Sequence, residues 1–138
     1  MKNSMSIVVT DSGLGGLSVM AELEKNLREN PIAENIRLTF FNALADKNYG
    51  YNTMSSEKEK AVVFNSALEG MVTGYNPDII LIACNTLSVV YPKTTFAKET
   101  NINVLGIVEF GVDLVYQHLS ADEQSIVILL EEIPVFPA

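Results

Sequence analysis

Short apolar runs alternate along the chain with longer segments in which apolar residues recur at helical spacing. The runs rich in β-branched and aromatic residues predict strands at residues 6–10, 36–41, 79–84, 104–108 and 125–130. After the first run, steps of three and four separate Leu17, Met20, Leu23 and Leu27, which predicts a helix. The chain therefore opens with a strand followed by a helix, and this order returns after the second, third and fourth strands.

The longest helical pattern follows the second strand. Ser56 and Glu59 form a capping-box pattern at its start, and Pro77 predicts its end. One apolar stripe between them predicts a face that lies on a sheet, and its members are Ala61, Phe64, Leu68, Met71 and Tyr75. Two further helical segments are predicted, one broken near Pro92 and one at residues 112–119.

The third run, residues 79–84, shows no alternation of apolar and polar residues. Such a run is typical of a strand that helices bury on both faces in a parallel sheet, and it predicts the central strand. The sequence therefore predicts an α/β fold, with a parallel sheet and flanking helices. Residues 131–138 follow the fifth strand with no helical pattern to cover it, so we expect a truncated chain.

Composition narrows the class of partner. With 48% hydrophobic and 19% charged residues, the 138-residue chain has the composition of a globular protein. Its net charge of -8 disfavours nucleic acid, which binds clustered Lys and Arg, so a small molecule or a protein is the expected partner. No apolar run approaches the roughly 20 residues that span a bilayer, and the N-terminal segment does not resemble a signal peptide. We therefore expect a cytoplasmic protein without membrane contact.

The sequence has one cysteine, Cys84, and one histidine, His118. This count excludes a disulfide framework, and a Cys/His metal site within the chain is not expected. His118 falls within a predicted helix, which favours a surface or packing role. Any thiol chemistry therefore depends on Cys84.

Three polar segments follow directly on predicted strands, at the place where parallel α/β sheets bind ligands. They are residues 11–16, 84–86 and 109–111. The first is rich in glycine, but it lacks the third glycine of the dinucleotide fingerprint and the Gly-Lys-Ser/Thr of a phosphate-binding loop. Its glycines could serve only a tight turn from strand to helix.

Two side chains in these segments carry the candidate chemistry, and each has a structural alternative. Asp11 could cap the helix that follows it, or it could act as a proton-handling carboxylate. Cys84 could be a small buried hydrophobe, or the free N–H groups and partial positive charge of the next helix could favour its thiolate. Asn85 and Thr86 add hydrogen-bonding groups beside the thiol.

Four short segments carry a resemblance to known proteins, through their residues, their order and their spacing. They are Val-Thr-Asp-Ser-Gly-Leu-Gly-Gly-Leu-Ser-Val at 9–19, Asn-Tyr-Gly at 48–50, Ile-Ala-Cys-Asn-Thr at 82–86 and Gly-Ile-Val-Glu-Phe-Gly at 106–111. Together they resemble the glutamate racemases of the aspartate/glutamate racemase family, over about residues 6–120. The resemblance implies two similar α/β domains that face each other, with a cysteine from each acting as acid or base on a substrate between them. It implies no cofactor, neither pyridoxal phosphate nor metal, and a D-amino acid made for cell-wall peptidoglycan.

The resemblance also implies roles for individual residues. Cys84 would remove the α-proton on one face of the substrate, and Asp11 would assist the protonation state of that thiol. Glu109 resembles a family glutamate near the opposite catalytic cysteine. The residues that would bind the substrate are Ser12, Tyr49, Gly50, Asn85, Thr86 and Glu109.

The chain departs from the family pattern in two ways. Asn48 stands where the family usually has proline before Tyr-Gly, which bears on loop shape and substrate preference. The second cysteine, which the family carries in a downstream Cys-Thr-His segment, is missing. We therefore expect a fragment with a first α/β domain over residues 1–100 and the start of a truncated second domain over residues 101–138. On its own, this chain is expected not to racemise an amino acid.

Other functions stay open at this point. A related one-cysteine enzyme could decarboxylate or isomerise its substrate with a single thiol, and a non-catalytic module could bind an amino acid without turnover. The choice between glutamate and aspartate is open, as is the oligomeric state, a homodimer included.

Overall fold

The computed structural model describes residues 2–121. Its strands are β1 (Lys2–Asp11), β2 (Ala33–Asn42), β3 (Ile79–Ile82) and β4 (Asn103–Gly106), and its helices are α1 (Gly16–Glu29), α2 (Glu57–Tyr75), α3 (Asn85–Val90), α4 (Thr95–Glu99) and α5 (Ile107–Ala121). Short 3-10 turns cover Tyr51–Thr53 and Tyr91–Lys93. The chain divides into two compact units, one up to Val108 and one from Glu109 onward, and each is described by itself.

The four strands form one parallel sheet in the order β2-β1-β3-β4. Val8 pairs with Ile80, and Ile80 pairs in turn with Val104. Helices connect the strands, as parallel pairing requires, because the chain must return to the starting edge before each new strand. The predicted α/β class is confirmed, and β3 is one of the two inner strands of the described sheet.

The main core lies between the sheet and α2. Val8, Ile80 and Ile82 point from one face of the sheet into the cluster that holds the fully buried α2 residues, which are Phe64, Leu68 and Met71. The predicted stripe is therefore confirmed along most of its length. Tyr75, its last member, is 37% exposed because α2 ends there, and Asn76 closes the helix in the left-handed conformation with φ 44.

The opposite face of the sheet is covered less completely. Helix α1 contacts β1 and β2 there, and Ile7 and Val9 are buried. Ile79 and Leu81, which pair with these two residues, are only partly buried. The prediction that helices bury this strand on both faces therefore holds fully on the α2 side and in part on the α1 side.

Two strands end earlier than the sequence predicts. β3 ends at Ile82: the N–H of Ala83 makes the last bond to β1, to the carbonyl of Thr10 at 2.8 Å, and Cys84 then caps α3. β4 ends at Gly106, and α5 begins at Ile107, so the β-branched pair that follows Gly106 is helical rather than extended. A side chain at Gly106 would lie 3.1 Å from Ser88 Oγ, which shows how closely α3 crosses this strand.

Other predictions fall at the limits of the described chain. The fifth strand at 125–130 and the segment 131–138 lie outside the described residues. The domain division at residue 101 stays a prediction; β4 pairs with β3, and the first compact unit extends to Val108. Among residues 2–121, none of the helices combines the length and the apolar character needed to cross a bilayer.

The amino end of α2 shows how the predicted capping box is built. Ser56 Oγ accepts the N–H of Glu59 at 3.1 Å, as the pattern predicts. The Glu59 carboxylate does not return to Ser56 but accepts the N–H of Ser55 at 2.8 Å. One N–H of the first helical turn and one N–H of the preceding loop are therefore satisfied, and the Glu59 carboxylate lies toward that loop.

The close packing of Gly16 generates a stability prediction. A Cβ at this position would lie 3.0 Å from Asp11 Cβ, 3.1 Å from Ala83 Cβ and 3.2 Å from the Phe40 ring. We expect Gly16→Ala to lower the free energy of unfolding by about 1–3 kcal/mol, because the strand and helix must separate to admit the methyl group. Gly13→Ala is the control, since nothing lies within 4 Å of its added Cβ. Equal melting temperatures for the two variants would contradict the packing account.

Candidate active site

Asp11 and Cys84 reach the same edge of the sheet because β1 and β3 are adjacent and parallel. Thr10 pairs with Ile82, so Asp11 is the last residue of β1 where Ala83 and Cys84 leave β3. Ser12 and Cys84 follow these strand ends, and their Oγ and Sγ atoms lie 3.4 Å apart. Two of the predicted segments therefore meet at this edge.

Cys84 is a free, partly buried cysteine at the N-cap of α3. Its backbone is extended, with φ -141 and ψ 128, and its carbonyl accepts the N–H of Ser88 at 2.9 Å. Cys84 packs against the hydrophobic core, and Ser12 Oγ lies within hydrogen-bonding distance of its Sγ. A hydroxyl can donate to a thiolate, so Ser12 can stabilise negative charge on Cys84.

Asp11 is 8% exposed, and its carboxylate accepts the N–H of Gly16 at 2.6 Å. That N–H is the first of helix α1, so Asp11 serves the helix start in the manner of a cap. The capping interpretation thus has a direct contact. A proton-handling role for the same carboxylate stays a prediction.

Within the glycine-rich segment, close packing requires glycine at position 16, and unusual backbone angles require it nowhere. No glycine in the described chain has a positive φ, and Gly15, at the N-cap of α1, has φ -59 and ψ -35. Gly16 is the position that packing restricts, since Asp11 and Ala83 leave no room for a side chain. Close packing therefore explains the glycine at position 16, and the tight-turn interpretation stays open for the other glycines of the segment.

Tyr49 extends from the loop between β2 and α2 and is 41% exposed. Its hydroxyl donates to Glu59 Oε1 at 2.6 Å, while Glu59 Oε2 accepts the N–H and the hydroxyl of Ser55, each at 2.8 Å. The hydrogen bond that Tyr49 donates to Glu59, with smaller effects of burial and of the Glu59 charge, raises the pKa of the Tyr49 phenol. The hydrogen bond from Tyr49, followed by those from Ser55, lowers the pKa of Glu59.

The departure at Asn48 has a structural explanation. The N–H of Asn48 donates to Asp46 Oδ1 at 2.7 Å, and the N–H of Tyr49 donates to the Asp46 carbonyl at 3.1 Å. A proline has no N–H, so the first of these bonds cannot form with the residue usual in the family. Gly50 then precedes the 3-10 turn, and its carbonyl accepts the N–H of Thr53 at 3.0 Å.

Tyr51 lies at this site but is absent from the sequence-based prediction. Its side chain is 2% exposed, and its hydroxyl donates to the carbonyl of Ala43 at 2.9 Å. Burial, with a smaller contribution from the charge of Cys84, raises the pKa of the Tyr51 phenol to about 12. No periodicity marks this residue, because it lies on a short turn within a polar loop.

The remaining predicted site residues lie in the first turns of two helices. Asn85 is exposed and Thr86 partly buried, both in the first turn of α3. Glu109 lies in the first turn of α5 rather than in a loop after β4, and it belongs to the second compact unit. Its role, like the substrate-binding roles of the other residues, stays a prediction. No group of three His, Cys, Asp or Glu side chains in the described part of the chain could hold a metal ion.

Known proteins resemble this chain over most of its length. It is 30% identical over 108 residues to a glutamate racemase of Aquifex pyrophilus, covering 78% of this chain and 38% of that protein. It is 32% identical over 106 residues to one from Vibrio vulnificus, covering 77% of this chain and 36% of that protein. A third, from Campylobacter jejuni, is 28% identical over 127 residues, which make up 91% of this chain and 46% of that protein.

The chain resembles the glutamate racemases. The resemblance drawn from four short segments is thereby confirmed by alignments of more than 100 residues. The chain spans less than half the length of each of these glutamate racemases. No family model and no solved structure matches it.

The contact between Ser12 and Cys84 predicts how fast the thiol reacts. We expect Ser12→Ala to slow the alkylation of Cys84 by iodoacetamide near neutral pH by about three- to ten-fold, because the thiolate loses a hydrogen-bond donor. The rate is followed by mass spectrometry of the folded protein. Ser18→Ala is the control, since Ser18 Oγ donates to the Gly15 carbonyl at 2.8 Å on the exposed side of α1. Alkylation of Ser12→Ala at the parent rate would exclude Ser12 as a donor to the thiolate.

The hydrogen bonds of Glu59 predict a pH dependence of stability. Because the pKa of Glu59 in the folded state lies below its ordinary value of 4.5, these bonds stabilise the fold above that pH and cease to do so as the pH falls through the lowered pKa. Glu59→Gln should therefore lower the melting temperature near neutral pH and have little effect in strong acid. It should also bring the pKa of Tyr49 back toward 10.0, which ultraviolet absorbance of tyrosinate measures.

Glu69→Gln is the matched control for this experiment. Glu69 also lies exposed on α2, and its carboxylate accepts a hydrogen bond from Asn65 Nδ2 at 2.9 Å. The hydrogen bonds of Tyr49 and Ser55 described above go to Glu59 and not to Glu69. A loss of stability in Glu59→Gln that is the same in acid and at neutral pH would contradict the proposed origin of the effect.

Proposed function

We propose that this chain carries one catalytic half of a cofactor-independent amino-acid racemase, with Cys84 as its acid/base group. The observation that carries the proposal is the approach of Ser12 Oγ to Cys84 Sγ at 3.4 Å, at the edge where parallel sheets bind ligands. The resemblance to glutamate racemases supports glutamate as the substrate, with aspartate as the close alternative. The product would be a D-amino acid for peptidoglycan in the cytoplasm.

The proposed chemistry begins with removal of the α-proton by the Cys84 thiolate. The proton passes to Sγ, and the electron pair left on the α-carbon is delocalised into the adjacent carboxylate. Donors held in place by the fold are the groups that stabilise such a charge, since they need no reorganisation during the reaction. Ser12 is the donor beside the thiol, and Asp11 is proposed to assist the protonation state of Cys84 from the same strand end.

Inversion requires a second proton donor on the opposite face of the α-carbon. The sequence has one cysteine, so the second group is proposed to come from another part of the complete racemase. A lone thiol can return a proton only to the face from which it took one. This separates proton exchange, which Cys84 could support alone, from racemisation.

Substrate binding is proposed for Ser12, for Asn85 and Thr86, and for the loop that holds Tyr49 and Gly50. Asn85 and Thr86 stand at the start of α3, and Tyr49 and Gly50 lie in the loop that also holds buried Tyr51. The chain has a net charge of -8, so binding of a dicarboxylate must depend on local N–H and hydroxyl donors rather than on the overall field.

Isotope exchange tests the proposal. The purified chain is incubated in deuterium oxide with each enantiomer of glutamate and aspartate, and the α-proton signal and optical activity are followed together. We expect slow loss of the α-proton signal from one enantiomer with configuration retained, because only one face of the α-carbon meets a base. Cys84→Ser should abolish the exchange, and Asp11→Asn should slow it by more than any loss of stability explains.

The other possible outcomes of this experiment would each exclude part of the proposal or favour a competing function. Exchange that survives in Cys84→Ser would exclude the thiol as the base. Loss of optical activity at an enzyme-like rate would reveal a second base in this chain. Appearance of a decarboxylated product would favour the one-cysteine decarboxylase, and binding of the amino acid without exchange would favour a non-catalytic module.

A further inference from the structure

We infer that Tyr51 is a positioning residue for the Cys84 thiol, forming a rigid inner wall that shields Sγ from water on the core side. The inference deepens the proposed function and rests on Cys84 being the acid/base group. It concerns a residue outside the four segments that carry the resemblance to glutamate racemases. Its basis is the way the Tyr51 side chain is fixed between the loop, the sheet and α2.

The Tyr51 side chain is held at both ends. Its ring meets the Phe64 ring of α2 edge to face, with centroids 6.3 Å apart and an interplanar angle of 89°. Its hydroxyl donates to the Ala43 carbonyl at 2.9 Å, and the N–H of Ala43 donates to the Asp11 carbonyl at 2.8 Å. Tyr51 is therefore tied through one residue to the strand end that carries Asp11 and Ser12.

Cys84 adjoins the same buried cluster. Its side chain packs against the core group that includes Tyr51, Phe64 and Leu87. The charge of the thiolate reaches the phenol, since it contributes with burial to a pKa of about 12 for Tyr51. Tyr51 therefore stays protonated and uncharged at any pH at which Cys84 would carry out its proposed chemistry.

The hydrogen-bonding capacity of Tyr51 defines what it can do. A phenol hydroxyl has one hydrogen to donate, and Tyr51 donates it to the Ala43 carbonyl. Tyr51 therefore does not neutralise the thiolate, and the donor at hydrogen-bonding distance from Sγ is Ser12.

Alkylation of Cys84 tests the wall without any substrate. In Tyr51→Ala, we expect iodoacetamide to alkylate Cys84 about three- to ten-fold faster than in the parent, because reagent and water reach the core side of Sγ. Tyr51→Phe keeps the ring, so its rate should stay within about two-fold of the parent while its melting temperature falls through the lost hydrogen bond to Ala43. All rates are measured well below each variant's melting temperature.

Met71→Ala is the control for general loosening of the core. Met71 is fully buried in the same cluster, near the other end of α2, and its loss should lower stability without a matching rise in alkylation rate. Equal acceleration in Met71→Ala and Tyr51→Ala would overturn the inference, and so would a parent-like rate in Tyr51→Ala. If Tyr51→Ala does not fold, Tyr51→Leu, which keeps apolar volume but lacks the ring, decides between the same outcomes.

The alkylation result is independent of turnover. If α-proton exchange fails while Tyr51→Ala still accelerates alkylation, the proposed function is rejected and the wall around the thiol stands. If exchange depends on Cys84 but neither Tyr51→Ala nor Tyr51→Leu changes the alkylation rate, the inference about Tyr51 is rejected alone.

Discussion

The parallel pairing of β1 with β3 is the constraint on which the candidate site depends. With Thr10 beside Ile82, the two strands end within one residue of each other, and the Ala83 N–H bonds to the Thr10 carbonyl as β3 leaves the sheet. Ser12 and Cys84 are 72 positions apart in sequence, yet they meet because each is the second residue beyond that pair. A shift of the register would separate hydroxyl from thiol, since each residue of slippage moves a strand end by about 3.3 Å.

The parts of this arrangement that follow from short-range patterns could be predicted from sequence. The apolar runs predicted the four described strands, and the α2 stripe from Ala61 to Met71 predicted the face that builds the core. Asp11 and Cys84 could be assigned to one sheet edge because parallel strands place all their carboxyl ends together. The motifs around them were sufficient to indicate the resemblance to glutamate racemases, which longer alignments bear out.

Features that depend on contacts between distant segments could not be predicted in this way. Tyr51 resembles any loop tyrosine until Ala43 and Phe64 enclose it. Ile107 has a high strand propensity but begins a helix, because tertiary context overrides a weak local preference. The glutamate of the capping box was identified, yet its main partners, Tyr49 and Ser55, could be found only from the structure. Packing of this kind has no signature in the spacing of residues.

The turn at Asp46 has a consequence for how this loop can vary. Its bond from the Asn48 N–H makes positions 46 and 48 a coupled pair, because a proline at 48 would leave the Asp46 carboxylate without that donor. A replacement of Asn48 by proline alone therefore cannot keep every hydrogen bond of this turn. The side chain at 46 and the backbone at 48 therefore act as one structural unit, and the shape of the loop before Tyr49 depends on both.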